Sequence, residues 1–288
     1  MERRKNLARE GLTEALRLRR HNNIEIHEAV CPYDLAEKLG VRVYFDNCMP
    51  SMEAAYVNGV PPKIIVTSLR PIGRMAYNCA HEIGHHIFGH GSHIDEVIEQ
   101  TQKTKKNTEE FLAEVFAGFL LMPRSAVNYG FSQREWSCCD CTPQQVFIVA
   151  TWLGVGYTAL VTHMCHSLKL ITFAKAKDLC KVPPDRIKRD LVGKQFQKNV
   201  FCIDQHWVGR PIDVCVGDII ITRETLEIEG HIAKPIPLKL SEQTFLALRP
   251  GIGRLQTHDG SWAIFLRVSR QEYKGWGRYR HLEDPEHE

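Results

Sequence analysis

Apolar residues recur at every third or fourth position over residues 6 to 20, where Leu7, Ala8, Leu12, Ala15 and Leu18 share a face, so an amphipathic helix is expected there. A second helical pattern runs from Ile26 to Leu39; Pro32 splits it, having no N–H for an interior helix bond, and Gly40 closes it. The period then changes. VRVYF at 41–45, EAAYV at 53–57 and KIIVT at 63–67 read as strands, the last two joined by the turn-forming NGVPP. Beyond Ser68 the spacing returns to three and four: Ile72, Met75, Ala76, Cys79, Ala80, Ile83, Ile87 and Phe88 predict a helix lying against the small sheet. Residues 91–108 are polar and irregular and are expected to form a loop. A further helix runs from about Thr108 to Leu121, with Phe111, Leu112, Val115, Phe116, Phe119 and Leu120 apolar, and Pro123 stops it.

Residues 142–168 hold no Lys, Arg, Asp or Glu and read as two helices broken at LGVG. KVPPDRIKRD at 181–190 is charged and carries a proline pair, which marks a linker. Past it, DVCV, DIIIT, LEIE, TFLAL and WAIFLRV read as strands separated by Gly, Pro and Asp turns, and LRPGIGRL as one of those turns. The expected class is α+β. Residues 1–180 form a mixed domain that includes the helical 142–168 segment, 181–190 a linker, and 191–288 a β-rich accessory domain.

A chain of 288 residues can bury a full core and sits near the size at which chains divide in two. Its charged fraction of 25% and apolar fraction of 43% are ordinary for a globular protein, which argues against disorder or fibre. The net charge of +3 is too small to imply a nucleic-acid partner. Basic residues gather at the start, at Arg3, Arg4, Lys5, Arg9, Arg17, Arg19 and Arg20, which suits an arm for an acidic partner or, more simply, a solvated helix face. No window offers the roughly 18 to 20 apolar residues of a membrane span, and the N-terminus has no secretory apolar run, so a cytoplasmic location is expected. The ten cysteines are not spaced like a small secreted disulfide framework, which fits reduced thiols.

HEIGH at 81–85 changes the picture from fold to chemistry. On a helix, His81 and His85 face the same way and can reach one ion, while Glu82 stands close enough to take a proton from water at the metal without being a ligand. Two imidazoles need a third donor, since catalytic zinc commonly has three protein ligands. His86, His90 and His93 show that the region is histidine-rich, and His90 falls one position short of the metzincin spacing. Glu96 and Glu99 lie in the polar loop, where solvated carboxylates are ordinary. Glu109, Glu110 and Glu114 stand before and among the apolar residues of the following helix. Glu110 and Glu114 share a face, so one can bind metal while the other orients a ligand histidine.

Three stretches, 35–45, 74–90 and 110–123, together resemble the ImmA/IrrE family of intracellular zinc metallopeptidases. The residues that carry the resemblance are AHEIGH at 80–85, Glu110 opening the later helix, and FAGFLLMP at 116–123. It extends weakly through LGVGYTALVTHMCHSLKLI, covers about residues 26–170, and does not reach 190–288. It implies a zincin-like catalytic domain with the HExxH helix against a small sheet. It further implies Zn2+ held by His81, His85 and Glu110 in a gluzincin-like set, with Glu82 as catalytic base; on the shared helix face Glu114 is then the carboxylate expected behind a ligand histidine. The implied activity is regulatory cleavage of a specific intracellular protein, in several members of the family a helix-turn-helix transcriptional repressor, under stress or mobile-element signals. Two positions depart from the family: Glu114 replaces the usual Asn or Asp, and Leu112 stands where Glu is common.

Tyr56 and His86 are candidate oxyanion donors, with structural roles equally open. Cys138, Cys139 and Cys141 with His163, Cys165 and His166 could form a second zinc site, although the adjacent thiols of CCDC fit poorly around one ion and reduced thiols are the simpler reading. The 142–168 pair has the outline of a helix-turn-helix but presents no basic side chain to phosphates, so a packed helix pair is expected and direct nucleic-acid binding is not. Three rivals stand beside the peptidase. One is a regulatory binding protein with this fold and little hydrolysis, in which Glu82 would have no use; another is a DNA-binding regulator built on 142–168; the third is a hydrolase of some bond other than a peptide, because HExxH specifies metal and water but not the scissile bond.

Overall fold

The computed structural model describes residues 2–96, 108–208, 210–238 and 243–282. The chain begins with α1 (Glu2–His21) and α2 (Pro32–Lys38), followed by β1 (Arg42–Asp46), β2 (Met52–Val57) and β3 (Lys63–Thr67). Next come α3 (Ile72–Ile87), β4 (His93–Glu96) and α4 (Thr108–Leu121). The helical pattern expected from Ile26 starts only at Pro32, which occupies the first turn of α2, where its missing N–H has no intrahelical partner to lose. The expected loop at 91–108 contains β4, paired antiparallel with β2, so an edge position gives these polar residues a strand that the sequence pattern does not announce. Residues 97–107, including Glu99, lie outside the described residues.

The first sheet has the order β13–β1–β3–β2–β4, with β13 (Gly275–Trp276) arriving from the far end of the chain. β1 and β3 are parallel, while β2 runs antiparallel to β3. Helix α3 lies against β2 and β3, and α4 packs between α3 and α1. Met75, Ala76, Cys79, Ala80 and Ile83 supply the buried stripe of α3, as their spacing predicts. The solvated face expected for residues 1–20 needs one correction. Arg19 is 2% exposed and donates to the carbonyls of Leu120, Glu25 and Glu28, clamping α1 onto the end of α4 and the segment before α2. Burial lowers its pKa to about 10 against the opposing pull of Glu28.

A helical layer follows: α5 (Arg124–Ser132), α6 (Pro143–Leu153), α7 (Tyr157–His166), α8 (Phe173–Cys180) and α9 (Pro184–Val192). Thr142 and Gln145 form a capping box at the start of α6, and Gly154, at φ +74°, ends it. Among the described residues no single helix is long and apolar enough to cross a membrane; the α6–α7 pair is apolar enough together but bends by 100°. The segment expected as a linker at 181–190 carries most of α9, whose Ile187 and Leu191 are buried in the core.

The C-terminal part is β-rich. β5 (Val200–Ile203), β7 (Ile219–Thr222), β10 (Gln243–Ala247) and β9 (Ala233–Pro235) form one sheet in that order. β6 (Pro211–Cys215), β12 (Ala263–Ser269), β11 (Gly251–Thr257) and β8 (Leu226–Glu229) form the other. β11 corrects the reading of LRPGIGRL as a turn. Its Gly253 has no Cβ, and one there would stand 2.7 Å from the Glu229 carbonyl oxygen, so the glycine serves close pairing with the neighbouring strand β8.

The two parts are joined by charge as well as by β13. Asp213 on β6 accepts two bonds of 2.6 Å from Arg267 on β12, and Arg267 reaches Asp34 on α2 at 2.8 Å. Arg280 donates to Asp34 at 3.0 Å and to Asp213 at 3.4 Å, and His281 Nε2 stands 3.2 Å from Asp213. Burial pushes both carboxyls upward, but the two guanidinium groups, joined at Asp213 by His281, outweigh it and hold Asp34 and Asp213 below the usual carboxylate range.

Candidate metal centre

His81, Glu82 and His85 lie on the last two turns of α3, with exposures of 6%, 0% and 0%. Burying three such groups together is costly unless they are paired or bind a ligand. Glu110 comes from the first turn of α4, where a carboxylate is favoured by the helix dipole, and its side chain is 28% exposed. Its oxygens meet both histidines: Oε2 is 3.5 Å from His81 Nε2 and Oε1 is 3.5 Å from His85 Nε2. All three donors lie within 4.8 Å of one another, and among the described residues they are the one such set of His, Cys, Asp and Glu.

The donor set fits a tetrahedral ion. Bonds of about 2.1 Å at a tetrahedral angle space their donors by roughly 3.4 Å, close to both contacts with Glu110. Two neutral imidazoles and one carboxylate are a combination zinc accepts with a coordination position left open.

The approach of the two helices depends on small residues. A Cβ on Gly84 would stand 3.1 Å from the Ala113 Cα, so the glycine of HEIGH is what lets α4 bring Glu110 to the histidines. Tyr77 Oη donates to the Glu114 carbonyl at 3.2 Å, a second tie between α3 and α4. Glu82 Oε1 lies 3.6 Å from His81 Nδ1, beyond hydrogen-bond length, so that carboxylate oxygen is not clamped to the ring.

Residues 36–137 match the IrrE N-terminal-like domain. That IrrE-like span takes in β1 to β4, α3, α4 and every residue of the donor set. No curated protein matches the chain. Among solved structures, a Mycobacterium tuberculosis transcriptional regulator aligns at 13% identity and a TM-score of 0.36, over 54% of this chain and 46% of that one. The cysteine protease inhibitor EhICP2 from Entamoeba histolytica aligns at 8% identity and a TM-score of 0.18, over 25% of this chain and 98% of its own. The chain thus spans under half the length of the regulator, and neither likeness reaches the level at which a shared fold follows.

Other candidates fall elsewhere. Glu114 is half-buried one turn beyond Glu110 and is not part of the donor set. Tyr56 Oη and His86 Nδ1 are hydrogen-bonded to each other at 2.9 Å, and burial lowers the pKa of the His86 imidazole. Cys138, Cys139, Cys141, His163, Cys165 and His166 do not converge as a metal site. His163 Nε2 faces the Met122 carbonyl oxygen at 3.0 Å, and burial lowers its pKa to about 4. The helix pair at 142–168 turns Val146, Val149, Leu160, Val161 and Met164 into the core, so its apolar composition reports packing.

His90 is where sequence reasoning missed a contact. It does not join the donor set; its Nδ1 lies 2.9 Å from His85 Nδ1, on the side of the ring away from Glu110. The available signal was Gly89 at the helix end, which turns the chain back on α3.

Proposed function

We propose that this chain is a zinc-dependent endopeptidase of the cytoplasm that cuts a specific protein, with a helix-turn-helix transcriptional repressor as the substrate class. The IrrE-like match over 36–137 and the buried His81, His85 and Glu110 cluster support a metal-dependent peptidase-like function in general. The observation that carries the finer reading is the placement of Glu82, fully buried, in the same two turns as the donors.

When bound, zinc would polarise a peptide carbonyl and acidify a water molecule at its open position. His81 and His85 would hold it through Nε2, keeping their protons on Nδ1, and Glu110 would supply the negative charge. Glu82 accepts the proton of the attacking water and returns it to the departing amine. Burial of these groups keeps bulk water from competing for that proton. Residues 1–180 act in this reading as the metallopeptidase unit and 191–288 as an accessory unit fastened to it by β13 and the Asp213 network.

The test compares N-terminal peptides from host cells making the intact chain with those from cells making Glu82→Gln, under matched stress. Cleavage of one or a few proteins, reduced at least about 100-fold in the variant while zinc content stays at one per chain, is the expected result. Equal peptide sets with equal zinc would replace this reading with the binding role, and absence of zinc from both proteins would remove the site.

A further inference from the structure

The end of α3 is built to bring one more side chain to the metal centre. Gly89 has φ +66°, a left-handed conformation that suits glycine. Its N–H bonds the His86 carbonyl at 3.2 Å, and the next N–H, of His90, bonds the His85 carbonyl at 3.0 Å. Together these bonds form a Schellman motif, which satisfies two carbonyls at the helix end and folds the chain back over the last turn. The residue it folds back is His90, whose ring stacks on Phe88 at 5.8 Å and meets His85 edge-on at 4.9 Å.

The contact has a chemical direction. His85 Nε2 faces Glu110, and His85 Nδ1 faces His90 Nδ1 at 2.9 Å. Two ring nitrogens at that distance share one proton. If His85 gives the Nε2 lone pair to a metal, its proton must sit on Nδ1, and His90 Nδ1 must then accept it. We infer that His90 is a positioning residue for the metal centre: its Nδ1 fixes the tautomer and ring plane of His85, and the Gly89 turn holds it there. Ligand histidines usually make this bond to a carboxylate, carbonyl or water, so a second imidazole in that place is a property of this chain's own residues. The inference rests on the zinc reading proposed above.

Asparagine and glutamine separate this role from packing. Asparagine can place its carbonyl oxygen near the Nδ1 position of histidine, whereas glutamine reaches nearer to Nε2. Metal-free full-length chain and the variants His90→Ala, His90→Asn and His90→Gln are titrated with zinc against a chromophoric chelator, with metal-free melting curves confirming that each folds. The expected result is a loss of zinc affinity of about 10- to 100-fold for His90→Ala and His90→Gln, with His90→Asn within a few-fold of the parent. Unchanged affinity in His90→Ala, or equal losses in all three variants, would overturn the inference while leaving the zinc reading intact. Failure of the parent itself to bind zinc would overturn both.

Discussion

Gly84, inside HEIGH, lies on the face that α3 turns toward α4. A methyl group on its Cα would stand 3.1 Å from the Ala113 Cα, 3.2 Å from Phe116 Cδ1 and 3.3 Å from the Ala113 Cβ. Carbon atoms rest at about 3.5 to 4.0 Å, so Gly84→Ala requires the two helices to part by roughly 0.4 Å. The nearest atom belongs to the backbone, and no rotamer change relieves it. Glu110 is three residues before Ala113 on the same helix, so the displacement carries its carboxylate away from both histidines. Metal sites tolerate about 0.2 Å in their bond lengths.

On the metal-free fold two effects oppose each other. Alanine is better than glycine in a helix interior by about 0.5 to 1 kcal/mol, while overpacking costs about 1 to 3 kcal/mol. The expected net change is a loss of roughly 1 kcal/mol, read by urea unfolding of the metal-free protein. Metal binding has no compensating gain, and a weakening of at least about tenfold, or ~1.4 kcal/mol, is expected in competition titrations with zinc. A Gly84→Ala protein that binds zinc as tightly as the parent would refute the claim that close approach of α3 and α4 sets the donor geometry.

Asp213→Asn should destabilise the chain by about 2 to 3 kcal/mol, below the roughly 3 to 5 kcal/mol for breaking a fully buried pair because the Asp213 side chain is 23% exposed; a shift in the urea midpoint worth under about 0.5 kcal/mol would mean that solvent screens the network. The same network sets an acid dependence. Asp34 and Asp213 are held below their unfolded value of roughly 3.9, so their stabilisation is complete above about pH 4 and is lost as pH falls through the depressed folded values. Stability measured from pH 6 down to pH 2 should therefore fall more steeply in the parent than in Asp213→Asn, and parallel curves would contradict the assignment.

The sequence by itself determined the local elements and half of the centre. Periods of two and three to four place β1, β2, β3, α3 and α4 within a few residues, because each of these elements buries one face and its apolar spacing records which. HEIGH is legible for the same reason: two candidate metal donors, His81 and His85, and the candidate base Glu82 lie within five residues of one helix, so helical geometry alone sets their relation. Glu110 is of another kind. Its motif names it as a candidate, but its place 3.5 Å from both histidines depends on Gly84 and Ala113 letting two helices meet that are separated by the 20 residues 88–107.

What escaped the sequence shares that dependence on distant partners. β13 is two residues long and exists because Tyr44 and Phe45 of β1 are there to pair with it. Arg19 looks like one more solvated cation until the end of α4 and the 25–28 turn surround it with carbonyls. His90 reads as surplus in a histidine-rich stretch until Gly89 folds it onto His85. A local pattern carries the energy of burying one face. It carries no record of which distant backbone carbonyl, strand edge or ring nitrogen that face will meet, and only the tertiary structure decided those meetings.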